Sequence, residues 1–262
     1  MVALAIVVFL IAAVYSNLGL GGGLMYVPAL ILLAGFEKDL AVPASLFLVL
    51  CGTFAALVQH SKANNVDFRL AAYLSGGSCV GSIFGTMFNL SIGEDLFRYL
   101  FLAIVTGICC WMAYDLYKKM KPDKNDDSRM CTQYIAPAIG FAVFAGFLSG
   151  AFGIGGGAIM VPVLIYFLCR RVKLAVGTSA ATIIPTTITG ILLYVFFGEG
   201  IIGVGALEAF WNYVFILGPV AFVGAYLGTR AGISRLTAWQ IKAAFLVLTV
   251  LVAATMIIAI MA

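Results

Sequence analysis

Three consecutive glycines inside an apolar run restrict this chain more than any other feature, and the run occurs twice. Gly19-Leu20-Gly21-Gly22-Gly23-Leu24-Met25-Tyr26-Val27-Pro28 returns 134 residues later as Gly153-Ile154-Gly155-Gly156-Gly157-Ala158-Ile159-Met160-Val161-Pro162. A glycine inside a helix costs roughly 1 kcal/mol against alanine, so neither run is ordinary helix filling. A chain that breaks its helix at matching points in two halves leaves backbone N–H groups free at both. The two breaks read as the halves of one binding site.

Composition decides the medium around that site. Hydrophobic residues make up 63% of the chain and charged ones 10%, with a mean hydropathy of +1.12. A soluble domain needs about a quarter charged residues for its surface, so the surface of this chain must face lipid. The net charge of +4 does not point to nucleic acid, because the charges lie in short clusters between apolar segments, where they orient a chain in a bilayer. Residues 1–18 lack a basic leader and a small-x-small cleavage site, so they read as mature protein rather than a signal peptide.

The charge clusters divide each half into five apolar segments. In the first half these are 2–18, 24–35, 40–60, 68–89 and 96–117; in the second, 135–152, 158–169, 174–197, 204–229 and 236–260. About 20 apolar residues cross a bilayer and 10–14 do not, so the segment after each glycine run is a partial helix. Between the halves, Lys118 to Arg129 holds five basic and three acidic residues around Pro122. The expected organisation is a membrane repeat at 1–117, a cytoplasmic linker at 118–134 and a second repeat at 135–262.

Duplication extends beyond the glycines. Leu40-Ala41-Val42 and Ser45 return as Leu174-Ala175-Val176 and Ser179, and Gly81 to Thr86 returns as Gly224 to Thr229. Such a match across a whole half marks an internal repeat. The basic loops are 118–131, 168–174, 229–242 and, more weakly, 60–70, whereas 36–39, 91–95 and 197–203 are acidic or nearly free of Lys and Arg. With the basic group in the cytoplasm, the short segment 24–35 ends outside and its counterpart 158–169 ends inside. The predicted fold is an all-α polytopic membrane protein of two inverted-topology repeats. Each has three full transmembrane helices plus a glycine-broken helix pair, either re-entrant or crossing twice; twelve residues favour re-entry.

The break dictates the chemistry. A helix that starts at mid-bilayer exposes its first N–H groups and the positive end of its dipole. Glycine lets the backbone approach a ligand closely. Two such N-termini related by a pseudo-twofold axis suit a single anion near the midplane. The candidate binding residues are Gly21, Gly22 and Gly23 with Gly155, Gly156 and Gly157. Asn17, Ser45, Thr178 and Ser179 are expected to bind the anion with them, and the hydroxyl of Thr182 is a further neighbouring donor. No Lys or Arg falls near the middle of a span, so dipoles and hydroxyls would hold the anion weakly enough to release it. Gly81 and Gly85, with Gly224 and Gly228, read instead as packing glycines.

Other chemistries lack their parts. Gly153 to Ala158 matches a dinucleotide fingerprint in letters, but has no βαβ context and no acid 20 residues on. The six cysteines show no metal or redox spacing, and neither a metal, a cofactor nor a catalytic set is expected. His60 reads as a cytoplasmic-edge residue. Glu208, near Asn212 at the outer end of a span, is the one acid with a claim to membrane depth.

The paired motifs, GLGGG-x-x-x-VP with Leu40-Ala41-Val42 and Ser45 downstream and GIGGG-x-x-x-VP with Ala175-Val176-Gly177-Thr178-Ser179, resemble the sulfite exporter TauE/SafE family over nearly the whole chain. The resemblance implies a multi-pass inner-membrane carrier of sulfite, sulfonates such as sulfoacetate, thiosulfate or related small anions. The first copy has Val42-Pro43-Ala44-Ser45 where the second has Val176-Gly177-Thr178-Ser179, so the Gly-Thr part of the motif is missing there. The expected partners are the small anion, the lipid bilayer and, as an assembly the sequence leaves open, a second copy in a homodimer; nucleic acid is not among them. The rivals are a passive anion channel and a sulfur-relay or uptake protein using Cys51 or Cys79.

Overall fold

Helices begin and end where apolar runs meet charge. In the computed structural model, which describes residues 1–117, 135–197, 204–235 and 250, α3 (Lys38–Lys62) has Asp39 in its first turn and His60 and Lys62 in its last. Asp39 and Lys62 each complement the nearby end of the helix dipole. α4 (Phe68–Ser91) starts behind Asp67, whose carboxylate accepts the Leu70 amide at 3.0 Å, a side-chain cap for an otherwise unpaired donor. α5 (Glu94–Tyr117) carries a Glu94–Arg98 pair one turn apart. The linker 118–134, the loop 198–203 and the last expected span, 236–260 apart from residue 250, lie outside the described residues.

The glycine runs interrupt helices as the sequence predicts. α1 (Val2–Tyr15) tightens into a 3-10 turn (Ser16–Leu18) and stops; α2 (Gly23–Ala34) restarts beyond the glycines. In the second half α6 (Ile135–Phe152) stops and α7 restarts at Gly157, running as an α-helix to Pro162 and as a π-helix over Val163–Phe167. α8 (Val172–Phe197) and α9 (Val204–Arg235) follow. α6 and α7 fold back on each other: the rings of Phe141 and Phe167 lie 4.8 Å apart, and Gly156 faces the Ala145 carbonyl. α1 and α2 make the matching hairpin, with Gly22 facing Ile11.

The helices pair across the halves. α4 packs along α6 and α8, α9 packs along α1 and α3, and α3 packs against α8. Exchanging each element for its counterpart (α1 with α6, α3 with α8, α4 with α9) turns the first set of pairs into the second. Glycine spacing makes the close pairs. A Cβ on Gly81 or Gly85 would strike the carbonyls of Val143 and Phe147 in α6, and one on Gly224 or Gly228 those of Phe9 and Ala13 in α1. Phe9 and Ala13 are the counterparts of Val143 and Phe147 at the same 134-residue spacing. These are the packing glycines expected where lipid offers no hydrophobic drive and helices cohere by close approach.

Among the described residues, three helices are long and apolar enough to cross a membrane: Lys38–Lys62, Val172–Phe197 and Phe210–Ala231 within α9. At 1.5 Å per residue, the 25 residues of α3 reach about 37 Å, against about 30 Å of hydrocarbon. Large apolar side chains point outward, Phe84 61% exposed, Phe215 70% and Phe196 72%. Exposed aromatic side chains in such number suit lipid, not water. Loops of like charge character also meet. Arg170 pairs with Asp67 at 2.8 Å, joining loops 168–174 and 60–70. At the opposite ends of these helices the buried Lys38 bonds the Asn89 carbonyl at 3.2 Å, bringing loop 36–39 beside the start of 91–95.

Candidate functional site

Every glycine of the two breaks has a physical reason. Gly19, Gly21 and Gly22 have φ of 66°, 74° and 83°, and Gly153, Gly155 and Gly156 have 67°, 84° and 72°. That region is cheap only for a residue without Cβ. The fourth glycine of each run, Gly23 or Gly157, is the first helical residue and needs no special angle. It is excluded from having a side chain by the other break: a Cβ on Gly23 would strike the Gly153 carbonyl and Ile154, and one on Gly157 the Gly19 carbonyl and Leu20. The tips of the two hairpins pass each other in contact.

Two serines clasp that crossing. Ser45 of α3 donates its hydroxyl to the Gly153 carbonyl at 2.9 Å, and Ser179 of α8 donates to the Gly19 carbonyl at 2.9 Å. Both serines are fully buried, and each reaches into the half it does not belong to. The left-handed turns would otherwise leave these carbonyls unpaired in a dry interior, which is costly. Val49 is wedged between the tips, where its methyl meets the open sides of both Gly21 and Gly155.

The helix N-termini at the crossing keep free donors. α2 is capped by Gly22 and α7 by Gly156, with no side-chain bond to either end. The amides of Gly22, Gly23 and Leu24, and of Gly156, Gly157 and Ala158, have no acceptor among the described residues. No charged side chain is among the groups facing the break glycines. The electrostatics are those of two helix dipoles and unpaired N–H groups, an arrangement suited to a weakly held anion.

The expected site residues separate into two groups. Gly21, Gly22, Gly23, Ser45, Gly155, Gly156, Gly157 and Ser179 come together at the crossing. Asn17 and Thr178 spend their polar groups elsewhere. The Asn17 amide donates to the Ala13 carbonyl of its own helix at 2.8 Å, and the Thr178 hydroxyl accepts the Asp67 amide at 3.0 Å. Thr182 bonds back to the Thr178 carbonyl. Residues the sequence reading passed over include Tyr26, whose ring covers Gly22 and whose buried hydroxyl has no partner. Cys51 and Cys79 are half-buried free thiols, and no group of three metal-ligating side chains occurs among the described residues. Glu208 lies in the first turns of α9, its side chain outside the described residues.

Comparison with known proteins agrees with this architecture. The chain is 26% identical to the probable membrane transporter protein YunE of Bacillus subtilis, covering 89% of this chain and 88% of that one. It is 29% identical to a probable membrane transporter protein of Methanocaldococcus jannaschii, over 73% and 71% of the two chains. A third relative, the probable membrane transporter protein YdhB of Bacillus subtilis, is 26% identical over 86% and 87%. No solved structure matches the chain. The family model described as sulfite exporter TauE/SafE matches residues 4–256, nearly the whole length and both glycine breaks, and the chain belongs to that family of membrane transporters.

Proposed function

We propose that the protein exports small sulfur-containing anions, such as sulfite, sulfoacetate and other organosulfonates or thiosulfate, across the inner membrane of a cell. In this reading the anion rests between the crossed breaks, held by the N–H groups of Gly22, Gly23, Gly156 and Gly157. Ser45 and Ser179 keep the breaks in register, and Asn17 and Thr178 belong to the scaffold around them. The observation that carries the reading is the meeting of two helix N-termini with unpaired amides, buried and free of fixed charge. Unpaired backbone at membrane depth is tolerated where it lines a site or a water-filled path.

The two halves act as inverted repeats. The exchanged helix pairs and the grouping of basic loops at the Arg170–Asp67 end support that geometry. On it, the hairpins α1–α2 and α6–α7 enter from opposite faces and return to the face they came from.

The absence of Asp, Glu, Lys and Arg from mid-span positions of the sequence suggests the driving force. An anion leaving a cell moves down an inside-negative potential worth about 2.3 kcal/mol per charge per 100 mV. For a doubly charged anion that sustains roughly a thousandfold gradient at 100 mV, since about 1.4 kcal/mol is tenfold. Export then needs no obligatory cation. Direct binding of sulfite, sulfoacetate, thiosulfate and sulfate to purified protein identifies the cargo. Efflux from proteoliposomes, with the potential clamped by potassium and valinomycin, tests the rest. Saturable efflux that follows the potential is expected. Non-saturable flux would mean a channel, and flux that ignores the potential but needs a pH gradient would direct attention to Glu208.

A further inference from the structure

Tyr26 folds back over the start of its own helix. It is the fourth residue of α2, and its amide donates to the carbonyl of the capping Gly22 at 3.1 Å. Side chains on a helix tilt toward its N-terminus and cover the turn before their own Cα. The Tyr26 ring accordingly lies on Gly22, where a Cβ would come 3.0 and 3.1 Å from the ring carbons Cε2 and Cζ. The hydroxyl, one bond beyond Cζ, ends beside Gly52 of α3, 3.8 Å from where a Cβ on that residue would be. Gly52 stands just under one turn along α3 from Val49, the side chain wedged between the two tips.

Packing does not explain the hydroxyl. Tyr26 is fully buried and its oxygen has no hydrogen-bond partner, a costly state for a group that only fills space. Phenylalanine would fill the same space without that cost. Thr86, Ser149 and Thr229 are also buried hydroxyls without a partner, but none of them is among the groups nearest a break glycine. Tyr26 is. The second half has no equivalent: Met160 stands 134 residues after Tyr26 and offers no O–H, and the side of Gly156 that matches is closed by the Ala145 backbone of α6.

The hydroxyl joins a set of donors. The amides of Gly22, Gly23 and Leu24 have no acceptor among the described residues, and they open a helix of 12 residues whose dipole is positive at this end. No carbonyl or carboxylate is among the groups nearest Gly22. A ligand that satisfies the amides and the phenol together must bring several acceptor oxygens and, against that dipole, negative charge. A sulfite or sulfonate group carries its oxygens on one atom, close enough together for neighbouring donors to share them. A phenolic O–H adds to their grip without the fixed charge that would slow release.

Building on the export reading above, we propose that Tyr26 is a further substrate-binding residue, its hydroxyl donating to an oxygen of the sulfite or sulfonate group held at the amides of Gly22 and Gly23. The test compares Tyr26→Phe with Tyr194→Phe in the full chain in detergent, reading Tm without anion and the Kd for sulfoacetate and for sulfite by calorimetry. Tyr194 is the control because its hydroxyl has a structural use, donating to the Gly150 carbonyl at 2.9 Å. For Tyr26→Phe the Kd should rise about tenfold or more, as when a hydrogen bond to a charged group is lost, while the anion-free Tm holds or rises because a buried unpaired group has gone. Tyr194→Phe should show the reverse, a lower Tm with affinity near that of the parent. Unchanged affinity in Tyr26→Phe overturns the proposal. So does a fall in its anion-free Tm, which would make the hydroxyl structural, or an equal loss of affinity in Tyr194→Phe, which would mean that any lost hydroxyl loosens the site. The two readings fail differently. A parent protein that binds none of sulfite, sulfoacetate, thiosulfate and sulfate would remove the export reading and this proposal with it, whereas parent binding that Tyr26→Phe leaves intact removes this proposal alone.

Discussion

Two sets of glycines hold this molecule together, and they do so for different reasons. Gly81, Gly85, Gly224 and Gly228 sit within regular helices, and a side chain there meets first a backbone carbonyl of a neighbouring helix. Gly21, Gly22, Gly155 and Gly156 sit at positive φ, where the chain's own conformation excludes a side chain before any neighbour does. The first set closes seams by proximity; the second shapes a turn whose amides stay free. Glycine counts alone do not distinguish them. The difference teaches that the packing glycines answer to the size of a substituent, and the break glycines to its φ preference.

The largest effect is expected at the packing set. Gly85→Leu drives a side chain into the Phe147 carbonyl of α6 and Gly228→Leu into the Ala13 carbonyl of α1, and the helices cannot part without losing the contacts on which lipid-embedded helices depend. The folded monodisperse peak in detergent should be lost in both. A folded Gly85→Leu protein would show that the seam has slack.

At the breaks the outcome should be loss of function in a folded protein. Gly22→Val and Gly156→Val impose a strained angle costing roughly 1–3 kcal/mol and displace the amides proposed to hold the anion. Anion binding should fall below detection while the detergent peak survives. Gly156→Val should be the more damaging, since its Cβ faces the Ala145 carbonyl, whereas that of Gly22 faces the Tyr26 ring. Normal binding by both variants would end the backbone-site reading.

Asparagine separates the two sets most cleanly. It tolerates left-handed backbone better than other non-glycine residues, so Gly22→Asn should retain more binding than Gly22→Ala. At Gly85, Asn should be worse than Ala because only bulk matters there. The same order of stability and binding at both sites would collapse the distinction.

The smallest effect is expected from the clasps. Ser45→Ala and Ser179→Ala each remove one buried hydrogen bond to a carbonyl, worth about 1 kcal/mol. For a chain of this size that is about 2–4 °C in Tm, similar in the two variants if the clasps are equivalent. A Tm loss in one variant alone would show that a single break bears the strain of the crossing.

Much of this was legible in the residues. The glycine runs announced both breaks, and the Gly81/Gly85 and Gly224/Gly228 pairs announced two close helix contacts, because spacing on a helix dictates which face a small residue occupies. Ser45 and Ser179 were legible as polar groups near the breaks, though not as donors to the opposite half. That depends on which carbonyl each hydroxyl meets, a contact across 108 and 160 residues. Thr178 illustrates the limit. Its neighbour Ser179 points to a break, while its own hydroxyl meets Asp67, since adjacent residues on a helix face about 100° apart.

By itself, the sequence determined the medium, the helical segments, the duplication and the two points where helix gives way, because each follows from local hydropathy, charge or the missing Cβ of glycine. Only the tertiary structure decided that Gly23 and Gly157 are required by the opposite break rather than by their own turn. It also decided that Ser78 and Ser82 of α4 line up with Thr186 of α8. Such pairings join residues about a hundred positions apart in the chain, and they exist only once helices of one half have packed against those of the other.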